Sequence, residues 1–404
     1  MSDTDAGSKA VLPDELHGEP LELQMGPSHP ATHGTVRISL KLDGERILWS
    51  DVQVGYLHRG FEKECEAGEY AQAIPYTDRL NYASPIINNV GYCLAVEKLF
   101  GVEVPPRGQY LRTIASEISR LSDHFTCLGA GAMELAAMTP FLYCMQAREH
   151  MWDLHEALCG ARVTTNYVRI GGLQSDAPDG FAALCREKLA AALAIFADVE
   201  RMLTENPIFR DRLEGTGIAS ADTLIAYGVT GPLLRAAGVP LDLRRTQPYL
   251  VYDQLDFDVP IGKTGDNYDR YLVRVEEIRQ SVRIIEQALA ALPEGPVDVD
   301  DPRLRLPPKG RVFNRMEELI DQFKMVTEGA RPPAGEVYQA VEGANGELGF
   351  YIVSNGSGRP WKCRCRSPSF SNTQVLSEMV QGALLADVVP TFDMINMIGG
   401  ECDR

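Results

Sequence analysis

The spacing of apolar residues changes twice along the chain. Leu21-Glu22-Leu23-Gln24-Met25 and Thr35-Val36-Arg37-Ile38-Ser39-Leu40-Lys41-Leu42 alternate apolar and polar positions, as half-buried strands do. Asp43-Gly44 supplies a hairpin turn, and residues 46–54 return as a third strand. From residue 62 the spacing lengthens to helical steps. Helices are expected over 62–73 and 84–100, and the clearest one starts at Pro105-Pro106. In that helix Leu111, Ile114, Ile118, Leu121, Phe125 and Leu128 form one stripe, with Glu117 and Arg120 able to pair on another face. Gly129-Ala130-Gly131-Ala132 either ends it or lets a neighbour pack closely. Thr139-Pro140 reads as a cap and first turn for a helix to about Gly160, and further helices are expected over 179–206, 268–292 and 312–328. Residues 207–262 read as irregular and 294–308 as a proline-rich connector. The period then returns to two at 337–341, 348–353 and 362–366, with Asn355-Gly356-Ser357-Gly358 as a turn, before an apolar segment over 383–398, bent at Pro390.

Strands at both ends and helices between them describe an α+β chain, because strands do not alternate with helices. Four regions are expected: a flexible acidic arm over 1–19, an antiparallel sheet with a histidine loop over 20–62, a helical core over 63–330, and a C-terminal sheet and terminal helix over 331–404.

Charge narrows the function classes. The formal net charge of −17 leaves no basic field for nucleic acid or for an anionic membrane surface. No apolar run approaches the ~20 residues of a bilayer span. Nine scattered cysteines, none in a C-x-x-C, fit reduced thiols; Cys363-Arg364-Cys365 puts two sulfurs on one strand face, too few ligands for a metal site. The acidic start, Met1-Ser2-Asp3-Thr4-Asp5, resembles neither a secretion signal nor a transit peptide.

The chemistry-bearing residues gather early. Met25-Gly26-Pro27-Ser28-His29-Pro30-Ala31-Thr32-His33-Gly34 holds two imidazoles on a proline-stiffened loop. Gly55-Tyr56-Leu57-His58-Arg59-Gly60 and Pro75-Tyr76-Thr77-Asp78-Arg79-Leu80-Asn81-Tyr82 add arginines and tyrosines in short loops. Phosphate-binding glycine loops, G-x-S-x-G and H-E-x-x-H are all missing. A Tyr and His pair can hydrogen-bond two carbonyl oxygens and supply protons, which suits a quinone-like acceptor whose electrons come from elsewhere.

Ten segments in order resemble one family, the large hydrophilic subunit (49-kDa, D-type) of respiratory complex I, NADH–quinone oxidoreductase. Besides the three loops above, the second of which extends through Phe61-Glu62-Lys63, they are Ala95-Val96-Glu97-Lys98-Leu99, Met138-Thr139-Pro140-Phe141, Tyr167-Val168-Arg169-Ile170-Gly171-Gly172, Phe257-Asp258-Val259-Pro260, Gly265-Asp266-Asn267-Tyr268-Asp269-Arg270-Tyr271, Val275-Glu276-Glu277-Ile278-Arg279-Gln280-Ser281 and Ser354-Asn355-Gly356-Ser357. The resemblance spans about residues 20–404 and implies a fold similar to the nickel–iron hydrogenase large subunit, with the nickel site turned into a quinone cavity. The cysteine pairs that hold nickel have no counterpart here, so a nickel-bearing hydrogenase subunit is the weaker alternative; a scaffold role in a related oxidoreductase with another electron donor is a third.

What the resemblance implies about the site is residue by residue. His33 and Tyr82 match the groups that bind and protonate the quinone, with His29 and Glu134 supporting the pocket. Arg59 and Arg79 match arginines beside an iron–sulfur cluster carried by a neighbouring B-type subunit, so the chain alone holds no metal and no cofactor. NADH binds elsewhere in the complex. Implied partners are also a C-type 30-kDa subunit, an I-type ferredoxin-like subunit and a membrane H-type subunit, at the cytoplasmic face of a bacterial inner membrane. Three departures stand out. Glu134 occupies a position where the family has aspartate, Thr164 replaces a histidine near the cluster, and Phe392-Asp393-Met394-Ile395 departs from an Asp-Pro pattern. Threonine does not titrate near neutral pH. The cluster potential is therefore expected to depend little on pH and to be lower than with the histidine; redox titration at several pH values tests this, and a steep slope overturns it.

Overall fold

In the computed structural model, residues 19–32 and 35–404 are described. His33, Gly34 and all but the last position of the expected acidic arm lie outside them.

The N-terminal alternation forms an antiparallel sheet of β1 (Leu21–Met25), β2 (Arg37–Asp43) and β3 (Arg46–Gln53) in sequence order. Ile38, Leu40 and Leu42 all point inward, and Leu40 lies opposite Leu23 on one side and Ser50 on the other. The outer edge of β3 pairs with the 382–385 segment, through Ile47 N–H to Ala383 O at 2.9 Å and Gly382 N–H to Ile47 O at 2.9 Å. Among the described residues the outer edge of β1 has no such partner.

The helical part begins with α1 (Phe61–Ala67), α2 (Ile74–Thr77) and α3 (Pro85–Phe100). The single helix expected over 62–73 is broken: Gly68 takes an extended backbone, and Tyr70–Ala73 winds as a 3-10 turn. Next, α4 (Pro106–Glu134) and α5 (Met138–Cys159) are separated by residues 135–137 alone. The reversal is closed by Ala137 N–H to Ala132 O at 2.8 Å, so α5 starts at Met138 without a threonine cap. The glycines near the end of α4 do not stop it. A Cβ on Gly129 would lie 2.9 Å from Cys144 Cβ, so their role is close approach of α5.

A two-residue hairpin, β4 (Val168–Arg169) with β5 (Gly172–Leu173), precedes α6 (Phe181–Leu203). The stretch read as irregular contains four short helices, α7 (Pro207–Leu213), α8 (Ala221–Ala226), α9 (Pro232–Ala236) and α10 (Leu243–Thr246). Asn206, Ser220 and Asp242 cap three of them through side-chain oxygens. The long α11 (Asn267–Ala290) follows, capped by Asp266. The helix expected over 312–328 divides into α12 (Lys309–Val312) and α13 (Met316–Glu328), whose apolar residues Met316, Phe323 and Val326 stand exposed.

The C-terminal sheet is β6 (Gly335–Gly343), β7 (Gly346–Ser354) and β8 (Lys362–Arg366), antiparallel in sequence order. Its β8 edge is closed by side chains of α1. Glu62 accepts from Cys365 N–H at 3.0 Å and Glu66 from Cys363 N–H at 3.3 Å, while Arg364 and Lys362 pair with the same carboxylates. The end of the chain winds into α14 (Pro368–Gln374), α15 (Leu376–Val380), α16 (Val388–Ile395) and α17 (Gly399–Asp403). Pro390 lies in the first turn of α16, where a missing N–H breaks no helical bond, so it starts a helix instead of bending one. Two hydrophobic clusters result. One joins α3–α6, α11 and the C-terminal sheet; the other joins the N-terminal sheet to residues 219–234 and 375–402.

The axis of this arrangement is α4, buried on nearly every side and packed on α3, α5, α11 and α16. Its charged face meets other buried charges. Glu117 accepts from Tyr252 Oη at 2.7 Å, Ser281 Oγ at 2.6 Å, Arg120 Nε at 3.3 Å and Arg244 Nη1 at 3.3 Å. Arg235 binds Glu277 at 2.6 Å and Glu342 at 2.7 Å, and Arg244 binds Asp242 at 2.7 Å. Burial opposes ionisation of Glu117, yet Arg120 and Arg244 outweigh it and hold the carboxyl below its ordinary range. Glu342 goes the other way: burial and the nearby Asp242 push it up against the pull of Arg235. Replacing Glu117 by Gln leaves two buried guanidiniums short of a counter-charge. Unfolding by urea is expected to show a loss of about 3–5 kcal/mol.

Candidate functional site

The loops singled out in the sequence meet around the end of the chain. Asp403 on α17 binds the 55–58 turn three times: its carboxylate accepts from Gly55 N–H at 2.8 Å and Leu57 N–H at 2.7 Å, and its carbonyl from His58 Nδ1 at 2.8 Å. Gly60 takes a left-handed backbone, φ 67°, and starts α1 directly after Arg59. The guanidinium of Arg59 donates through Nη2 to Arg79 O at 2.9 Å and Gly400 O at 3.0 Å. Only glycine fits at 400, because a Cβ there would lie 2.5 Å from Arg79 O. Arg79 pairs with Asp78 at 2.8 Å and donates to Pro75 O. Two arginines thus stand side by side, and burial followed by the charge of Arg79 lowers the pKa of Arg59. Buried Asp78 is pushed up to about 6 by burial, with Arg79 opposing.

Tyr82 follows on the same turn and is 43% exposed. Its neighbours are fixed beneath it. Asn81 Nδ2 and Ser84 Oγ donate to one oxygen of buried Asp123, at 2.8 and 2.9 Å, and Asn396 Nδ2 donates to the other at 2.7 Å. Asn81 Oδ1 in turn accepts from Ala83 N–H at 3.1 Å. Burial first and the charge of Asp123 second raise the Tyr82 pKa, so the phenol keeps its proton and is a donor at neutral pH.

The histidine loop packs on α16, after which Asn396 caps the helix C-terminus. A left-handed Gly26, φ 89°, brings the loop back onto β2; a Cβ there would meet Val36 O. His29 Nδ1 accepts from Ala31 N–H at 3.2 Å and its carbonyl accepts from Thr32 Oγ1 at 3.0 Å. His29 therefore shapes the loop, and its other nitrogen, Nε2, carries the proton when the ring is neutral. Glu134 lies at the last turn of α4, half-buried and close enough to Asp393 on α16 to bias its ionisation.

Arg59, Arg79, Tyr82 and the histidine loop are thus linked through α4, α16 and α17. Thr164 is not joined to them. It is exposed in the loop after α5, close in sequence to Arg162, which pairs with Glu149, Asp153 and Glu156. No described contact ties Thr164 to the arginine pair. Among the described residues no group of three or more His, Cys, Asp or Glu side chains is placed to hold a metal ion. A cavity of about 520 Å³, lined by residues such as Arg169, Leu304 and Met325, shares no residue with this cluster.

Three residues of the site had no prominence in the sequence. Asp123, Asn396 and Asp403 hold the loops without being on them. Asp123 could have been suspected from its place beside His124 in a helix whose apolar stripe leaves little room for charge. Glu401 is a fourth. It accepts from Ser369 N–H at 3.0 Å and Ser369 Oγ at 2.6 Å, and burial pushes it up to about 7. Between the unfolded value of about 4.5 and about 7 the folded chain binds more protons, so stability from this group is full below the lower value and is lost as pH rises through the upper. The loss is on the order of 3 kcal/mol. In Glu401→Gln that part of the pH dependence is expected to vanish from thermal unfolding curves.

Comparison with known proteins places the chain in a family. Residues 134–404 match the family described as respiratory-chain NADH dehydrogenase, 49 Kd subunit. The chain is 55% identical over 391 residues to a D-type NADH-quinone oxidoreductase subunit of Sorangium cellulosum, covering 96% of this chain and 97% of that one. It is 51% identical over 403 residues to the D-type subunit of Myxococcus xanthus, covering 97% of that protein. It also matches a C/D-type NADH-quinone oxidoreductase subunit of Bdellovibrio bacteriovorus at 49% identity, covering 97% of this chain and 70% of that longer protein.

Proposed function

Because the chain belongs to the family of the 49 Kd subunit of respiratory-chain NADH dehydrogenase, we propose that its loop cluster forms one wall of the site where electrons pass to a quinone. A quinone takes up two electrons and two protons to become a quinol, and two donors aimed at its two carbonyl oxygens are what the reaction asks of a protein. Tyr82 is one donor and His33 the other, with Glu134 bracing the histidine loop. Arg59 and Arg79 face the iron–sulfur cluster of the B-type subunit, where fixed positive charge favours the reduced state. The cluster supplies the electrons one at a time; this chain supplies hydrogen bonds and protons.

The observation that carries the reading is the setting of Tyr82. Its turn is locked from below by Asn81, Ser84 and Asp123, while the phenol stays protonated and open to one side. A structural tyrosine would be expected to bury its hydroxyl on a partner. The open side is closed by the neighbouring B-type subunit. The longer C/D-type relative supports a C-type partner, and on this reading I-type and membrane H-type subunits complete the contacts at the cytoplasmic face. Anchoring falls to the H-type partner: among the described residues no helix is long and apolar enough to cross a membrane.

Tyr82→Phe in the assembled complex tests this. Quinone reduction is expected to fall about 10²-fold or more. Oxidation of NADH by ferricyanide, which bypasses the quinone, is expected to stay unchanged. Undiminished quinone reduction would favour a scaffold role instead.

A further inference from the structure

The backbone that presents Tyr82 is pinned on both sides of the residue. Before it, buried Asn81 uses every polar group of its side chain. Its Oδ1 accepts from Ala83 N–H at 3.1 Å and its Nδ2 donates to Asp123 Oδ2 at 2.8 Å, while its carbonyl accepts from Asn88 Nδ2 at 2.9 Å. After it, Ser84 stands at the N-cap of α3, where a serine hydroxyl ordinarily accepts from the first turn of its own helix. Here it makes no such bond. It donates to Asp123 Oδ2 at 2.9 Å instead, and the Ile86 amide of α3 is served from α4 by Ser119 Oγ at 3.3 Å. The helix forgoes its own cap to satisfy one carboxylate.

That carboxylate is fully buried, and among the described residues its partners are neutral. Asn81 and Ser84 hold one oxygen, and Asn396 Nδ2 holds the other at 2.7 Å. A buried carboxylate without a counter-charge costs more than a buried amide of the same size. What the amide lacks is a second acceptor, because its NH2 would face the donors on one side or the other. Only a carboxylate accepts on both sides at once. The far side is anchored in turn. Asn396 ends α16 with a left-handed backbone, φ 58°, and its Nδ2 also donates to Asn345 Oδ1 at 2.6 Å, in the turn between β6 and β7. Asp123 therefore joins the Tyr82 turn to α4, to the end of α16 and, through Asn396, to the C-terminal sheet.

We infer that Asp123 is a positioning residue for quinone reduction, which sets where the Tyr82 phenol stands relative to α4 and α16. This role rests on the quinone reading above, in which the phenol donates to a carbonyl oxygen. Such a donor works only within hydrogen-bond reach, and a shift of the turn by about 1 Å takes it out of line while leaving the phenol chemically intact. Asp123 acts through Asn81 and Ser84. It does not touch the quinone and exchanges no proton with it.

The test is quinone reduction by the assembled complex carrying Asp123→Asn, alone and together with Asn81→Asp. In the single variant the amide cannot accept from both Asn396 and the Asn81–Ser84 pair. Quinone reduction is expected to fall about tenfold, within what a displacement of about 1 Å costs. Oxidation of NADH by ferricyanide should be unchanged. In the double variant donor and acceptor change places: the new amide donates to the new carboxylate, and the Ser84 hydroxyl can turn to accept. The rate is expected to return to within about threefold of the natural protein, the coupling that two directly bonded side chains give. A loss of general stability or of a charge at 123 would not be repaired in this way. An unchanged rate in Asp123→Asn, or no recovery in the double variant, overturns the positioning role. If Tyr82→Phe slows quinone reduction while these variants depart from the expected pattern, only the positioning role fails; if Tyr82→Phe changes nothing, the quinone reading fails. Should either Asp123 variant not assemble, Asn396→Gly decides, since glycine keeps the left-handed backbone and removes the amide. A rate lowered about threefold or more, with ferricyanide reduction unchanged, supports the role; an unaltered rate overturns it.

Discussion

The structure depends on a group of charges that cannot reach water. Glu117, Arg120, Asp242, Arg235, Arg244, Glu277 and Glu342 come from α4, α9, α10, α11 and β6 and its neighbours, and each is at most 2% exposed. Four carboxyls face three guanidiniums, and the imbalance is eased by raising Glu342. Such a group contributes little net stability compared with an apolar core, but it tolerates few arrangements, because any displaced member leaves a charge alone. It fixes α4 relative to the segments that pack around it. The site loops inherit that precision, since Asp123 and Glu134 stand on the same helix.

The residues proposed for function are on loops, yet those loops are tied down. The 55–58 turn is held by one carboxylate at Asp403, the Tyr82 turn by one at Asp123, and the histidine loop by its own proline and glycine geometry and its contact with α16. In each of the first two cases a buried acceptor from a distant part of the chain satisfies backbone or amide donors that a loop would otherwise leave to water. The exposed part comprises the Tyr82 phenol and two guanidiniums, with Tyr56, His58 and Tyr76 beside them, on this backing.

Much of this was readable from spacing. The stripe from Leu111 to Leu128, the strand pair around Asp43-Gly44 and the return to period two after residue 335 all correspond to elements of the right kind. Reading failed where the backbone is decided by tertiary contacts. Gly68 breaks a helix that composition would have continued, Pro390 starts a helix that it was expected to bend, and three of the four short helices between 207 and 246 owe their starts to side-chain caps more than to any period. The same holds for the site. Arg59, Arg79 and Tyr82 were visible because their loops resemble a known pattern, whereas Asp123 and Asp403 were not, because nothing local marks a carboxylate whose partners lie tens or hundreds of residues away. Thr164 shows the opposite case, a position given weight by resemblance that no described contact joins to the arginines.

The edges of the two three-stranded sheets have a consequence for assembly. Glu62 and Glu66 accept from N–H groups of β8, side chains of Lys98, Arg120 and Tyr249 bind main-chain groups of β6, and the 382–385 segment covers β3. Among the described residues only β1 keeps an unpaired row of donors and acceptors, with Leu21 60% exposed on it. Main-chain pairing with another polypeptide, whether a partner's strand or a second copy in a misassembled aggregate, has this one place to begin on the two sheets. Among the described residues, the other edges of these sheets meet their surroundings largely through side chains and the 382–385 segment.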